Sequence, residues 1–377
     1  MNINSVKKKI GTVFCIFLSL LSYSARATEN YSVTDLYEQA ANGWHKSYES
    51  HGRTIDVDID IEVPDVDTLP VIKVVYDQPF SEDKITAQYD DGDDKLYYLI
   101  RPTGSLFMRY NFMTYEPRND KERKYRGYTV EELDPKQDLD TYFFNNPITA
   151  SEAIDFIEEK LYQFSGNTYD MSLFRLRIQT PMRLRDPKTE ELGEFVRDVG
   201  RYVITLRQVL NGIPFNVGIA MAFKTPEVST REPVLWYPFE AESYIISKDE
   251  YRINAQFAKQ TELVYEDMPV CSVDKVIESC EKAIEKGNIR QIYGMRLGYV
   301  VYLDPKTDDY FWAVPSWVVE CRYVKSPKVN EFDEHLEGLF TQKTAYANLV
   351  VNAQTGELIN PFDQSKDRSY APKIKTW

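Results

Sequence analysis

The sequence predicts an α+β protein in which an N-terminal β-rich region precedes two copies of a unit built from one helix packed on an antiparallel sheet. Three observations carry that expectation. Ile55, Val57, Ile59, Ile61 and Val63 alternate with Asp56, Asp58, Asp60 and Glu62, the period-two pattern of a half-buried strand. Two later segments carry apolar stripes at helical spacing: Ala153, Ile154, Ile157, Leu161 in one and Val273, Val276, Ile277, Cys280, Ile284 in the other. Each stripe leads into a long strand-like stretch and then into matching turns, Asp186-Pro187-Lys188-Thr189-Glu190 and Asp304-Pro305-Lys306-Thr307-Asp308, about 120 residues apart.

Taken in order, the first 27 residues read as a secretory signal. Lys7, Lys8 and Lys9 form a cationic start, residues 10–23 are apolar, and Ser24-Ala25-Arg26-Ala27 ends as a small-residue cleavage site. An apolar run of about 14 residues falls short of the roughly 20 a spanning helix needs, so no stable membrane span is expected after cleavage. A lipid anchor on Cys15 is the weaker reading, because the bulky Phe14 precedes it. Residues 28–145 form the β-rich region: a short helix over 32–41, the alternating strand, a hairpin turn at 90–94, a charged loop over 117–127 and a linker over 131–140. The first repeat covers 146–266, with strands expected at 171–185, 195–210 and 243–257. The second covers 267–377, with strands at 289–303, 311–324 and 347–358.

Composition removes several functions. The 377 residues hold 45 Lys plus Arg against 59 Asp plus Glu, a net charge of −14, and loss of the signal takes it to −18. A general phosphate-backbone binder needs a cationic surface, so nucleic acid is excluded as a partner. Three His leave little room for a His-built metal site, and four Cys cannot frame a chain this long. Cys271 and Cys280 are separated by more than ~10 Å if helical, too far to bridge. Cys280 sits on the apolar stripe and faces the sheet, where Cys321 on a later strand meets it; buried thiols are the plainer reading, and a bridge between the two stays open.

The stretch Leu206-Arg207-Gln208-Val209-Leu210-Asn211-Gly212-Ile213-Pro214 resembles the strand and Asn-Gly turn of PepSY-like domains, the modules related to peptidase propeptides. The strand with Val314-Pro315-Ser316-Trp317, followed by Asn352-Ala353-Gln354-Thr355-Gly356, resembles their closing strands and last turn. Gly356 suits that turn because a tight hairpin takes a positive φ that glycine adopts cheaply. The resemblance covers about residues 146 to 377. It implies two PepSY-like repeats and non-catalytic work in an exported bacterial protein: inhibiting a peptidase, or holding a partner such as a sensor kinase or cell-wall enzyme. It transfers no catalytic residue.

The residues themselves offer few sites. Asp56, Asp58 and Asp60 mimic the opening of a calcium loop, but Ile61 stands where a turn glycine is required and Asp67 where a bidentate Glu is, so no metal is expected. Arg175 and Arg177, with Arg183 and Arg185, share one strand face opposite Phe174, Leu176, Ile178, Met182 and Leu184, with Pro181 interrupting the ladder. Such a row either grips an anionic partner or pairs with the chain's own acids. Tyr310, Trp312 and Trp317 lie along one strand and either anchor a peptide or sugar or fill a core. No catalytic or phosphate-binding signature occurs, and no cofactor is called for. The expectation is an exported, non-catalytic binding or regulatory protein of the cell envelope, secreted or at the cell surface, that engages a protein or peptide through Arg175, Arg177, Tyr310, Trp312 and Trp317. The alternative is a secreted hydrolase of cell-wall or dietary glycans or peptides using paired carboxylates.

Overall fold

The computed structural model describes residues 31–89, 95–112, 126–127, 129–185, 189, 191–195, 198–221, 233–236, 239–287, 289–303, 310–323 and 346–359. The signal segment, the acidic turn at 90–94, most of the charged loop and, Thr189 apart, both Asp-Pro-Lys-Thr turns lie outside them. The chain begins with α1 (Val33–Ala40), the hairpin β1 (Trp44–Ser50) and β2 (Arg53–Ile59), then β3 (Ile61–Glu62) and β4 (Val71–Tyr76), α2 (Glu82–Thr86), β5 (Leu96–Ile100) and β6 (Leu106–Tyr110). Ile55, Val57 and Ile59 are buried while Asp56 and Asp58 face solvent, as their alternation predicts. The middle of the chain supplies β7 (Arg126–Gly127), β8 (Val130–Glu132), α3 (Ala150–Ser165), β9 (Met171–Gln179), β10 (Arg183–Arg185), β11 (Leu192–Phe195), β12 (Arg201–Leu210) and β13 (Ile213–Met221). The last part adds β14 (Pro233–Trp236), β15 (Glu240–Ser247), β16 (Glu250–Ala255), β17 (Ala258–Tyr265), α4 (Val273–Glu285), β18 (Ile289–Leu303), β19 (Phe311–Tyr323), β20 (Tyr346–Asn352) and β21 (Leu358–Ile359).

The helices obey their end signals. Thr149 and Glu152 form a reciprocal capping box at the start of α3, and Gly166 closes it at φ 71°. Ala153, Phe156, Ile157, Leu161 and Phe164 bury one face of α3 against the sheet. On α4 the stripe Val273, Val276, Cys280, Ile284 does the same, and Ser279 donates to the carbonyl of Gly356, whose φ is 71°. No helix among the described residues is long and apolar enough to cross a membrane.

The expected arrangement of a separate N-terminal β-rich domain followed by two helix-on-antiparallel-sheet repeats is overturned. Among the described residues sixteen strands form one continuous mixed sheet, whose main path runs β17-β4-β19-β18-β13-β12-β15-β16-β6-β5. Strands from before residue 145 are built into it at four places, one of them β8, which pairs with β9. β4 lies inside, between β17 and β19; β5 and β6 extend the far end beyond β16; β3 runs parallel beside β18. β13 and β18 also pair in parallel, so the sheet is not antiparallel throughout. The reason is physical: alternation tells which face of a strand is buried, and says nothing of which strand lies beside it.

The turn at Asn211 and Gly212, with φ of 53° and 75°, folds β12 onto β13 and joins two parts of the sheet. One part, β8-β9-β12-β15-β16-β6-β5, is antiparallel and carries α3 on one face. The other holds the remaining nine strands and the larger core, under α1, α4 and the β1–β2 hairpin. Cys271, Cys280 and Cys321 are buried thiols within that larger core.

Candidate functional site

In the seven-strand part, residues alternate between the α3 face and the opposite one. Leu176, Ile178, Tyr202, Ile204, Ala241, Ile245, Tyr251, Ile253 and Met108 turn to the helix and are buried. The opposite, helix-free face carries a cross-strand row fixed by register: Glu132, Arg177, Val203, Tyr244, Arg252, Arg109 and Tyr97, one residue from each strand. A second row beside it reads Arg175, Thr205, Glu242, Asn254, Phe107 and Leu99. At ~4.8 Å per strand the first row crosses roughly 29 Å.

Guanidinium groups and rings interleave along these rows. The Arg252 carbon Cζ lies 4.9 Å from the Phe107 ring centre and 5.0 Å from that of Tyr244; Arg109 lies 4.7 Å from Tyr97, and Arg201 5.1 Å from Tyr244 and 5.5 Å from Phe112. Each contact contributes about 0.5–1 kcal/mol at an exposed site and helps hold the guanidinium in place.

At the other end of the face a β-bulge between Thr205 and Leu206 shifts the register of β9. It moves Phe174 off the helix side, where its parity with Leu176 and Ile178 would put it, and into contact with Arg207, Arg296 and Arg175 at 3.0, 4.6 and 4.8 Å. Arg207 is only 2 % exposed and donates to Asn216 Oδ1 at 2.8 Å. Arg175 reaches Glu320 on β19 at 3.5 Å, and Arg296 on β18 holds the other oxygen of Glu320 at 3.5 Å, so these ion pairs tie the two parts of the sheet together. Arg177 pairs with Glu132 at 3.8 Å. Glu240, in register with Arg207, has its carboxyl raised to about 7: burial is the main cause, Arg207 opposes it, and the charge of Glu242 adds to it.

The sequence-predicted residues therefore fall in different places. Arg175 and Arg177 are on the helix-free face but engaged with Glu320 and Glu132. Arg183 lies on β10 in a separate three-stranded sheet, 3.6 Å from the Phe195 ring centre. Tyr310 is 41 % exposed, and Trp312 stands in register with Lys73, whose Nζ is 5.2 Å from its ring centre. Trp312 and Glu320 are eight residues apart on β19, about 27 Å of extended strand, so the aromatic pair and the arginines form no common surface. Trp317 is wholly buried between Leu297 and Val351 and serves the core, so it is corrected as a binding residue. Residues the sequence reading missed are Tyr97, Phe107, Arg109, Tyr244 and Arg252. Their only signal was alternation within short strands, spread over residues 97 to 252.

Burial pushes the Cys271 thiol up to about 11 and that of Cys280 up to about 12, so neither carries appreciable thiolate at neutral pH. An open recess of about 550 Å3 lies beside the loop after α3, lined by Asp77, Asn167, Tyr169, Gln208 and Lys259 among others. Its main polar groups are already engaged: Tyr169 donates to Asp77 Oδ2 at 2.6 Å, and the Gln208 amide bonds both backbone groups of Ala258.

No protein-family model and no curated protein matches the chain. Among solved structures it is similar to an uncharacterised protein from Eubacterium rectale, with a TM-score of 0.50 and 13 % identity over 87 % of this chain and 97 % of that one. At that identity the likeness is one of fold.

Proposed function

We propose that the protein is an exported, non-catalytic binding protein of the cell envelope, and that its helix-free sheet face captures a protein or peptide partner. The observation that carries this reading is the row of ring-braced arginines that ends at two large exposed residues, Tyr97 at 47 % and Leu99 at 45 %. Aromatic and arginine side chains of this kind dominate the energetics of protein contacts. Export rests on the sequence of the first 27 residues, and the PepSY-like resemblance of residues 206–214 and 349–359 supports a regulatory rather than catalytic role. The test is affinity capture of envelope proteins with the wild type and with a Tyr97→Ser, Leu99→Ser double variant. A protein retained by the first and lost from the second is expected; equal retention by both would sink the reading.

A second reading follows from Glu240 and Glu242. They lie two residues apart on one face of β15, and burial raises the carboxyl of Glu240 to about 7, the range of a general acid. Turnover of a wall glycan or peptide that vanishes in Glu240→Gln would favour it over capture.

A further inference from the structure

Strand β5 ends the sheet path, and among the described residues it pairs with β6 alone. Arg101 N donates to Ser105 O, and Asn111 N donates to Lys95 O. Antiparallel partners exchange bonds at every second residue, so residues 97 and 99 also face β6, and the N–H and C=O groups of Leu96, Tyr98 and Ile100 point away from the sheet. The strand Leu96-Tyr97-Tyr98-Leu99-Ile100 has no Lys, Pro or bulge, the devices that normally guard such an edge. This is a template for one more strand.

The face beside that edge is cationic on an acidic protein. Arg109 and Arg252 stand directly opposite each other, an arrangement that is unfavourable within a sheet and favourable towards an incoming anion. Arg252 has no ion pair among the described residues, and rings on two sides hold its guanidinium in place. The acids on the same face are Glu132 and Glu240 towards its other end, Glu242, diagonal to Arg252, and Glu250, two residues before it, against Arg109, Arg175, Arg177, Arg201, Arg207 and Arg252. The acid run at 90–94 precedes β5 in sequence, so the cationic ground belongs to the face and not to the end of the strand.

Resting on the capture reading, we infer that the β5 edge takes up an extended, alternating acidic and apolar segment of a partner protein as an added strand. Its carboxylates lie on the face of Tyr97, Arg109 and Arg252, and its apolar residues continue the α3 side beside Tyr98. Main-chain bonds to Leu96, Tyr98 and Ile100 supply affinity, and the arginines select the charge.

The probe is a fluorescent heptapeptide of alternating Glu and Val, with a Lys and Val counterpart and two forms of the Glu peptide N-methylated on either the Glu or the Val residues. Anisotropy titration of the protein is expected to show binding of the Glu peptide at least tenfold tighter than of the Lys peptide. Strand addition also requires that one N-methyl form binds and the other does not, since only one edge of the peptide bonds β5. The Arg109→Gln, Arg252→Gln variant, checked for an unchanged melting transition, should lose most of the preference for Glu. Equal binding of Glu and Lys peptides, equal behaviour of the two N-methyl forms, or no binding of the Glu peptide overturns the inference. Capture of an envelope protein that still depends on Tyr97 and Leu99 would then leave the broader reading in place.

Discussion

Glu240 couples the buried end of the helix-free face to solution pH. An unperturbed glutamate titrates near 4.3, whereas burial raises this one to about 7, so the folded state keeps its proton longer than the unfolded chain. Its stabilising contribution is therefore fully present below pH ~4.3 and is lost as pH rises to 7. The expected outcome is a carboxyl resonance of Glu240 with a midpoint near 7 by carbon NMR, and a weaker fall in stability across that range in Glu240→Gln. Neither the midpoint nor the arginines around Glu240 were legible in sequence, because Arg207, Arg177 and Arg175 are 33, 63 and 65 residues away. What was legible was parity: Arg175 and Arg177 share a face, and acids of the same chain answer them.

At the scale of single elements the sequence was a good guide. The helical stripes became α3 and α4, Pro181 separates β9 from β10, and Asn211-Gly212 makes the hairpin turn. The misses were turns without glycine or proline, such as Lys248-Asp249 between β15 and β16, and the bulge that repositions Phe174. The capping box of α3 gives a direct test. Thr149 accepts from the amide of Glu152, and Glu152 accepts from that of Thr149. Thr149→Ala should cost about 1 kcal/mol in denaturant unfolding, with the m-value unchanged.

The whole molecule is organised by insertion. Val71, Ile72 and Val74 of β4 are fully buried with β17 on one side and β19 on the other, and among the described residues β17 pairs with no other strand. Three such side chains contribute roughly 1.5–3 kcal/mol each, comparable to the 5–15 kcal/mol net stability of a typical domain. A chain restricted to residues 146–377 is therefore expected to lack a cooperative melting transition and sharp NMR dispersion, despite holding both long helices. A well-dispersed spectrum from that fragment would show that the inserted strand is dispensable. The sequence hid this because both repeated segments look self-sufficient when neighbours are assigned by proximity along the chain.

The position of β4 also sets an order of events during synthesis. Its partners are residues 258–265 and 311–313, so a chain growing from its N-terminus carries Val71-Ile72-Lys73-Val74-Val75-Tyr76 for about 180 residues before the first strand able to cover it exists. Through that interval the segment is an apolar, strand-prone stretch with a single charge, the kind that associates between chains. The sheet around β4 is completed only by the last third of the chain, so shielding of that segment until then is expected to lower association between growing chains.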